Sequence, residues 1–202
     1  MIEIPEFKEL QFREDTHTYT VNGFVVPSVS QIMEPLSNAY YGGVDKDTLS
    51  KAAQRGTSVH AAVENYLLFG IEDISKELSG YFAGFKKWID EYKPVPVKTE
   101  CRIYHRTLNY AGTADLPCYI GDDLTLVDFK TTASVAQVLT RVQLEAYKKA
   151  FESHGITFKR KLIIQSGKDG TYHAVEHPIA DAESWKVFTE LLDVYRFIKK
   201  YK

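Results

Sequence analysis

The sequence contains few cysteines, no long apolar run and no large excess of either charge. Its 202 residues include only Cys101 and Cys118, which provide neither a disulfide framework nor a four-thiolate cluster. The net charge is −2, so no general positive field attracts a polyanion, and any contact with nucleic acid must come from a local patch. No apolar run approaches the length of a membrane span, and residues 1–5 lack a signal-peptide pattern. We therefore expect a soluble, cytoplasmic protein with free thiols.

Hydrophobic residues make up 44% of the chain, which is enough for one well-filled core. No stretch has the composition of a linker that would divide the chain. We therefore expect one domain over residues 1–202, in which residues 1–45 form an N-terminal hairpin and helix attached to a core at residues 46–202.

Two strand-like runs joined by Gly121-Asp122 predict a β-hairpin. The two-residue turn sets Ile120 opposite Asp123, and the same register sets Asp115 opposite Asp128. Facing carboxylates roughly 5 Å apart destabilise a sheet unless a cation lies between them. Lys130 follows two residues later on the same face. The alternative is a solvated hairpin whose polar residues face water, with a bulge at Pro117 that shifts the register.

In the N-terminal half, the pattern predicts a hairpin at Asn22-Gly23, then a short helix capped by Ser28 and ended by Pro35. Residues 37–43 have the composition of a loop. Two helices follow, one capped by Thr57 and one beginning near Ser75. Residues 95–104 then alternate as a strand with Glu100 on its polar face.

In the C-terminal half, Ser134-x-x-Gln137 is typical of the capping box that opens a helix. A hairpin around residues 167–170 and a last amphipathic helix from about Asp181 complete the order of elements. This order predicts an α/β fold with a mixed central β-sheet flanked by helices.

One motif is misleading. His173-Ala-Val-Glu176-His177 matches an inverted zinc-protease string, which needs both imidazoles one turn apart on a helix. Gly170 and Pro178 confine these residues to a short strand, where extended geometry separates the two histidines by roughly 13 Å. We therefore reject a protease function.

Four segments together are more specific than any one of them. They are Arg55-Gly-Thr-Ser-Val-His60, Gly112-Thr-Ala-Asp115, Val127-Asp-Phe-Lys130 and Gln143-x-x-x-Tyr147. In order and spacing the set resembles the PD-(D/E)XK nuclease superfamily, in particular its RecB-like and phage-type exonuclease branch. The resemblance implies a restriction-endonuclease-like core. The second acidic position is Asp128 rather than Glu, and the four-cysteine iron–sulfur cluster of some relatives is excluded.

The resemblance implies roles for named residues. The implied catalytic residues are Asp115, Asp128, Lys130, Gln143 and Tyr147. The implied ligands of Mg²⁺ or Mn²⁺ are His60, Asp115, Asp128 and the backbone carbonyl of Phe129, with Glu100 and Glu64 in support. The alternative role for Glu100 is to balance the charge of Arg102. Lys130 would hold or deprotonate the attacking water, and as a base it would need a lowered pKa. Basic residues near the motifs are candidate DNA contacts: Lys51, Arg55, Arg141, Lys148 and Lys149.

The function that this resemblance implies is metal-dependent DNA exonuclease activity, in phage-type recombination or DNA end processing. The expected partners are a single-stranded or duplex DNA end and a recombination protein, and the chain would be of phage origin. Two alternatives remain open at this stage. One is a DNA-binding or scaffolding module that has lost catalysis, and the other is a structure-specific endonuclease with the same core.

Overall fold

The computed structural model describes residues 2–132 and 136–201. The strands are β1 (Leu10–Arg13), β2 (Thr18–Val21), β3 (Phe24–Val26), β4 (Val95–Pro96), β5 (Cys101–Tyr104), β6 (Ala111–Ala114), β7 (Leu116–Ile120), β8 (Asp123–Lys130), β9 (Arg160–Ser166) and β10 (Tyr172–His177). The helices are α1 (Val29–Ile32), α2 (Glu34–Tyr41), α3 (Lys46–Phe69), α4 (Ser79–Tyr92), α5 (Gln137–Glu152) and α6 (Ala182–Tyr201).

A five-stranded mixed sheet forms the centre of the fold, in the order β10-β9-β8-β7-β4. β8 and β9 run parallel, whereas the other neighbouring pairs of this sheet are antiparallel. A parallel pair needs a crossover connection, and α5 lies in the connection between β8 and β9. β1–β3 and β5–β6 form two smaller sheets. The α/β class predicted from the sequence, with a mixed central sheet flanked by helices, is confirmed.

Helices cover both faces of the central sheet because alternate residues of its strands are apolar on each side. On β8, Leu124 and Leu126 pack in one core with side chains of α5 and α6. Val127 and Phe129 pack in a second core with side chains of α3 and α4. Both cores hold β8 in place, and this strand carries Asp128 near its end.

The predicted hairpin at Gly121-Asp122 is confirmed with its register. Ile120 pairs with Asp123, and the ladder continues to Leu116 opposite Val127. Gly121 adopts a φ of 60°, which glycine reaches without steric cost. Pro117 is accommodated within β7 opposite Leu126, with no shift of register.

Two predicted boundaries in the N-terminal half are wrong. Residues 37–41 belong to α2 rather than a loop, and Pro35 opens that helix, since a first-turn position needs no N–H donor. Thr57 is not an N-cap. α3 begins at Lys46, where the Asp45 side chain accepts from Thr48 N, and Thr57 lies inside the helix with its hydroxyl bonded to Ala53 O.

The strand predicted over residues 95–104 is not found as predicted, whereas the capping box predicted at Ser134 stays a prediction. The single strand predicted over residues 95–104 is divided into β4 and β5, and Glu100 lies between them with a φ of 42°. A positive φ at a residue with a side chain cannot continue a pleated strand. The capping box predicted at Ser134 lies outside the described residues.

The structure places His173 and His177 in strand β10. Among the described residues, no helix combines the length and the apolar character needed to cross a membrane.

Candidate metal and catalytic site

The hairpin of β7 and β8 brings two carboxylates together at the open end of the sheet. Asp115 lies in the bend between β6 and β7, and its Oδ2 accepts a hydrogen bond of 2.7 Å from Phe129 N on β8. Asp128 lies within β8 and is almost fully buried. The backbone contact with β8 therefore fixes the Asp115 side chain beside the strand that carries Asp128.

His60 on α3 reaches the same place from the other side of the fold. Its Nε2 lies 3.1 Å from the backbone oxygen of Phe129. Its Nδ1 lies 3.7 Å from Asp115 Oδ2 and 4.0 Å from Glu100 Oε1. A carbonyl oxygen only accepts hydrogen bonds, so Nε2 must carry the proton of this contact. In the neutral imidazole, the lone pair of Nδ1 then faces the two carboxylates.

Glu100 lies closer to the site than the sequence suggested. One ligand atom each from His60, Glu100 and Asp115 lie within 4.8 Å of one another. The backbone N–H of Glu100 donates to Asp115 O at 2.9 Å, which fixes the two acidic residues relative to each other. Glu64, expected in the same supporting role, accepts a hydrogen bond of 2.6 Å from Thr99 Oγ1.

Two of the acidic side chains, Glu100 and Asp128, have raised pKa values. The Glu100 side chain is partly exposed, but desolvation by its surroundings raises its pKa to about 8, and repulsion from Asp115, Glu64 and Asp128 adds to the rise. Burial also raises the pKa of Asp128, with a contribution from Asp115 that Lys130 partly offsets. Asp128 Oδ2 is buried and faces the Lys130 ammonium. The group has several oxygen atoms that accept hydrogen bonds and few groups that donate them, which suits a hard divalent cation.

Lys130 provides the positive charge of the site. Its Nζ lies 2.5 Å from Asp128 Oδ2. Burial by itself lowers the pKa of Lys130, but the carboxylates of Asp128 and Asp115 outweigh burial and raise it. These carboxylates favour the ammonium form of Lys130 as long as no cation neutralises them.

Gln143 and Tyr147 lie one turn apart on α5, as predicted. Gln143 Nε2 donates to Tyr147 Oη at 3.5 Å, and the Tyr147 ring is buried. Gly112 on β6 makes room for this ring, because a Cβ there would lie 2.6 Å from Tyr147 Cε1. The sequence motifs around Gly112 and Tyr147 thus meet in space.

These residues line one cleft of about 600 Å³. The predicted residues that line it are His60, Glu64, Glu100, Asp115, Asp128, Phe129, Lys130, Gln143 and Tyr147. Other residues that line the cleft were not predicted as site residues, among them His17, Ser30, Thr113 and Thr131. Thr113 lies within the Gly112-Thr-Ala-Asp115 motif and Thr131 follows Lys130, whereas His17 and Ser30 come from elements distant in sequence.

The expected DNA contacts divide into two groups. Lys148 is buried, and its ammonium donates to Ile179 O at 2.6 Å and pairs with Glu145 at 3.0 Å. Arg141 forms two hydrogen bonds with the Asp181 carboxylate, at 3.0 and 2.9 Å. Both charged groups have partners within the fold, so a phosphate would have to compete with these contacts.

The other expected contacts have different surroundings. Lys149 pairs with Glu152 at 2.8 Å. Lys51 is exposed on α3, and the Arg55 guanidinium lies 5.1 Å from the centre of the Tyr81 ring. Lys51 and Arg55 both lie on α3, the helix that carries His60.

No protein-family model and no curated protein matches the chain. Among solved structures, the chain is similar to the crystal structure of an alkaline exonuclease, LHK-Exo, from Laribacter hongkongensis. The sequences are 15% identical, the match covers 74% of this chain and 95% of that chain, and the TM-score is 0.41. LHK-Exo in complex with dAMP is also similar, at 14% identity, 74% and 91% coverage and a TM-score of 0.40. Similarity at this level assigns neither a family nor an activity to the chain.

Proposed function

We propose that the chain is a divalent-metal-dependent deoxyribonuclease of the PD-(D/E)XK type that hydrolyses phosphodiester bonds. The observation that carries the proposal is the convergence of His60 Nδ1, Glu100 and Asp115 beside the buried Asp128 carboxylate and Lys130. Such an acceptor-rich group is destabilising without a cation. The motif resemblance favours an exonuclease over an endonuclease.

In this proposal, His60, Glu100 and Asp115 hold the cation, and Asp128 completes the oxygen ligands. A bound Mg²⁺ or Mn²⁺ would supply Lewis-acid polarisation of the phosphate and a water of lowered pKa. An imidazole among the ligands favours Mn²⁺ at least as much as Mg²⁺. The backbone carbonyl of Phe129 then has a different role from the one expected, because it orients His60 through Nε2 and directs Nδ1 towards the carboxylates.

Lys130 supplies positive charge beside the acidic group and holds the attacking water. Its ammonium lies 2.5 Å from Asp128 Oδ2 and lines the same cleft. A fixed positive charge there stabilises the negative charge that develops on the phosphate oxygens. The Gln143 amide, held against Tyr147 Oη, lies in the same cleft and positions the substrate strand.

The test is digestion of end-labelled single- and double-stranded DNA with Mg²⁺, Mn²⁺ or EDTA. We expect cleavage with either cation, none with EDTA, and a 10²–10³-fold lower kcat for Lys130→Ala. Lys8→Ala is the matched control, since Lys8 is an exposed lysine. Full activity of Lys130→Ala would overturn the assigned role. DNA binding without cleavage by the wild-type protein would instead favour an inactive binding module, and internal cuts would favour an endonuclease.

A further inference from the structure

A second cavity of about 280 Å³ opens beside the catalytic cleft. The two share Ser30, Lys130, Thr132 and Gln143 as lining residues. A group bound in this side pocket would therefore lie next to whatever group Lys130 contacts. None of the proposed metal ligands His60, Glu100, Asp115 and Asp128 is among the described residues that line the side pocket.

The walls of the side pocket are largely apolar. Met33 and Leu139 are buried, Tyr41 is partly buried, and Leu49 lies at the exposed side. They come from α1–α2, α3 and α5, so the pocket is formed where these helices meet. An apolar pocket with one aromatic wall is suited to a flat, uncharged group, which it can stack and desolvate.

The charges of the two cavities differ. The cleft has several carboxylates and suits a cation with its phosphate. Among the described residues that line the side pocket, Lys130 is the only one with an ionised side chain, and it lies at the shared boundary. The hydroxyl groups of Ser30 and Ser37 can each donate and accept a hydrogen bond at the polar side of the pocket. A second phosphate would find no further cationic side chain among these lining residues. A nucleobase would find an aromatic ring to stack on and polar partners for its edge.

We propose that the side pocket binds the nucleobase of the nucleotide whose phosphate lies at Lys130, with Tyr41 as the stacking wall. This inference rests on the proposed nuclease function, because it takes the phosphate position from it. It adds a base-binding subsite and makes unstacking of one base part of substrate binding. Such a subsite would hold the scissile phosphate in the cleft through the base attached to it.

The test uses oligonucleotides that carry one abasic residue at successive positions around the cleaved bond. We expect wild-type kcat/KM to fall roughly 5- to 150-fold at one position, the range that stacking of a base on an aromatic ring provides. Tyr41→Ala should lose a similar factor on intact DNA and lose nothing further when that position is abasic. Tyr41→Phe should retain cleavage.

Two further variants distinguish an effect of the side pocket from an effect of nearby residues. Tyr40→Ala is the matched control, since Tyr40 is the exposed neighbour of Tyr41 and does not line the pocket. Leu49→Trp fills the pocket from its exposed side and repeats the test with little risk to folding, with the exposed Leu68→Trp on the same helix as its control.

Equal wild-type rates on all the abasic substrates would overturn the base-binding subsite and leave the nuclease function standing. The same holds if Tyr41→Ala and Leu49→Trp remain fully sensitive to the abasic residue. Absence of cleavage of intact DNA by the wild-type protein would overturn the nuclease function, and the subsite with it.

Discussion

At the scale of single residues, Glu100 combines three unfavourable features. Its backbone has a φ of 42°, its carboxyl is surrounded by Asp115, Glu64 and Asp128, and its pKa is raised to about 8. A positive φ in a non-glycine residue costs free energy that other parts of the structure must offset. Such a cluster of strain and like charge is typical of a site whose ligand compensates for it.

We expect Glu100→Gln to weaken cation binding and, in the metal-free protein, to raise the Tm at about pH 8. The folded pKa lies above the unfolded value of 4.5, so the folded state retains a proton that the unfolded state loses, and wild-type stability falls as the pH rises between these values. Thermal unfolding across this range, with and without Mn²⁺, measures both effects.

Glu77→Gln is the control, because Glu77 is exposed in the turn before α4. It should change neither the Tm nor the affinity for Mn²⁺. Because cation binding needs the Glu100 carboxylate, the wild-type affinity should increase with pH up to about 8 and the variant should lose part of that increase. Unchanged Mn²⁺ affinity in Glu100→Gln would remove Glu100 from the ligand set.

At the scale of elements, α4 lies very close to the hairpin of β9 and β10. Gly80 and Gly84 are one turn apart on its inner face, and a Cβ at Gly84 would lie 2.5 Å from Thr171 O and 2.1 Å from Ser166 Oγ. Lys87 on the same helix donates to Gly170 O at 2.7 Å. This close packing holds the second core under β8, the strand that carries Asp128.

Gly84→Ala should therefore destabilise the protein by about 1–3 kcal/mol, the usual cost of overpacking a close contact. The methyl group would collide with a backbone carbonyl, which cannot move aside without shifting the hairpin. Urea unfolding measures the change. Gly43→Ala is the matched control, since nothing lies within 4 Å of a Cβ at that position. Equal stability of both variants would contradict the close approach of α4.

At the scale of the whole molecule, a buried charge group joins α5 to the central sheet. Glu145 contacts Lys161 of β9 in an ion pair that is inaccessible to solvent, and Lys148 lies 3.0 Å from the other Glu145 oxygen. Burial lowers the pKa of Lys161, although Glu145 opposes this effect. The same group holds the Lys148 ammonium in the interior of the fold.

Removing Glu145 should cost more than removing Lys161. Glu145→Gln leaves the buried Lys161 ammonium without its carboxylate and leaves Lys148 paired with Glu152 at 3.4 Å, for which we expect a loss of about 3–5 kcal/mol. Lys161→Met keeps the aliphatic volume and leaves Glu145 paired with Lys148, so the loss should be clearly smaller. Chemical denaturation of the two variants gives the comparison, and the reverse order would contradict it.

Stability should also fall in mild acid because of His177. Its Nε2 lies 3.0 Å from Thr140 Oγ1 on α5, and burial, together with the positive charges of Lys161 and Arg141, lowers its pKa to about 4 from 6.5. Between these values the unfolded state binds a proton that the folded state does not, so stability decreases as the pH falls. His177→Gln should show a flatter pH dependence of the unfolding midpoint than the wild type, and equal slopes would refute this origin.

Short-range chemistry in the sequence determined several features of the protein. The turn residues Gly121-Asp122 specify the hairpin register, and that register brings the ends of β7 and β8 together with Asp115 and Asp128 beside each other. The i, i+4 spacing of Gln143 and Tyr147 places both on one face of α5. These features could be predicted because neighbours in the chain alone decide them.

Only the tertiary structure decided which of the polar residues meet. Glu100 is held beside Asp115 by a backbone hydrogen bond, and His60 lies 69 residues from the carbonyl that orients it. Lys148 is removed from the surface by Glu145, and Tyr41, predicted in a loop, becomes the wall of a pocket at the end of a helix. The physical reason is that burial, charge pairing and cavity shape depend on residues that folding brings together from distant parts of the chain.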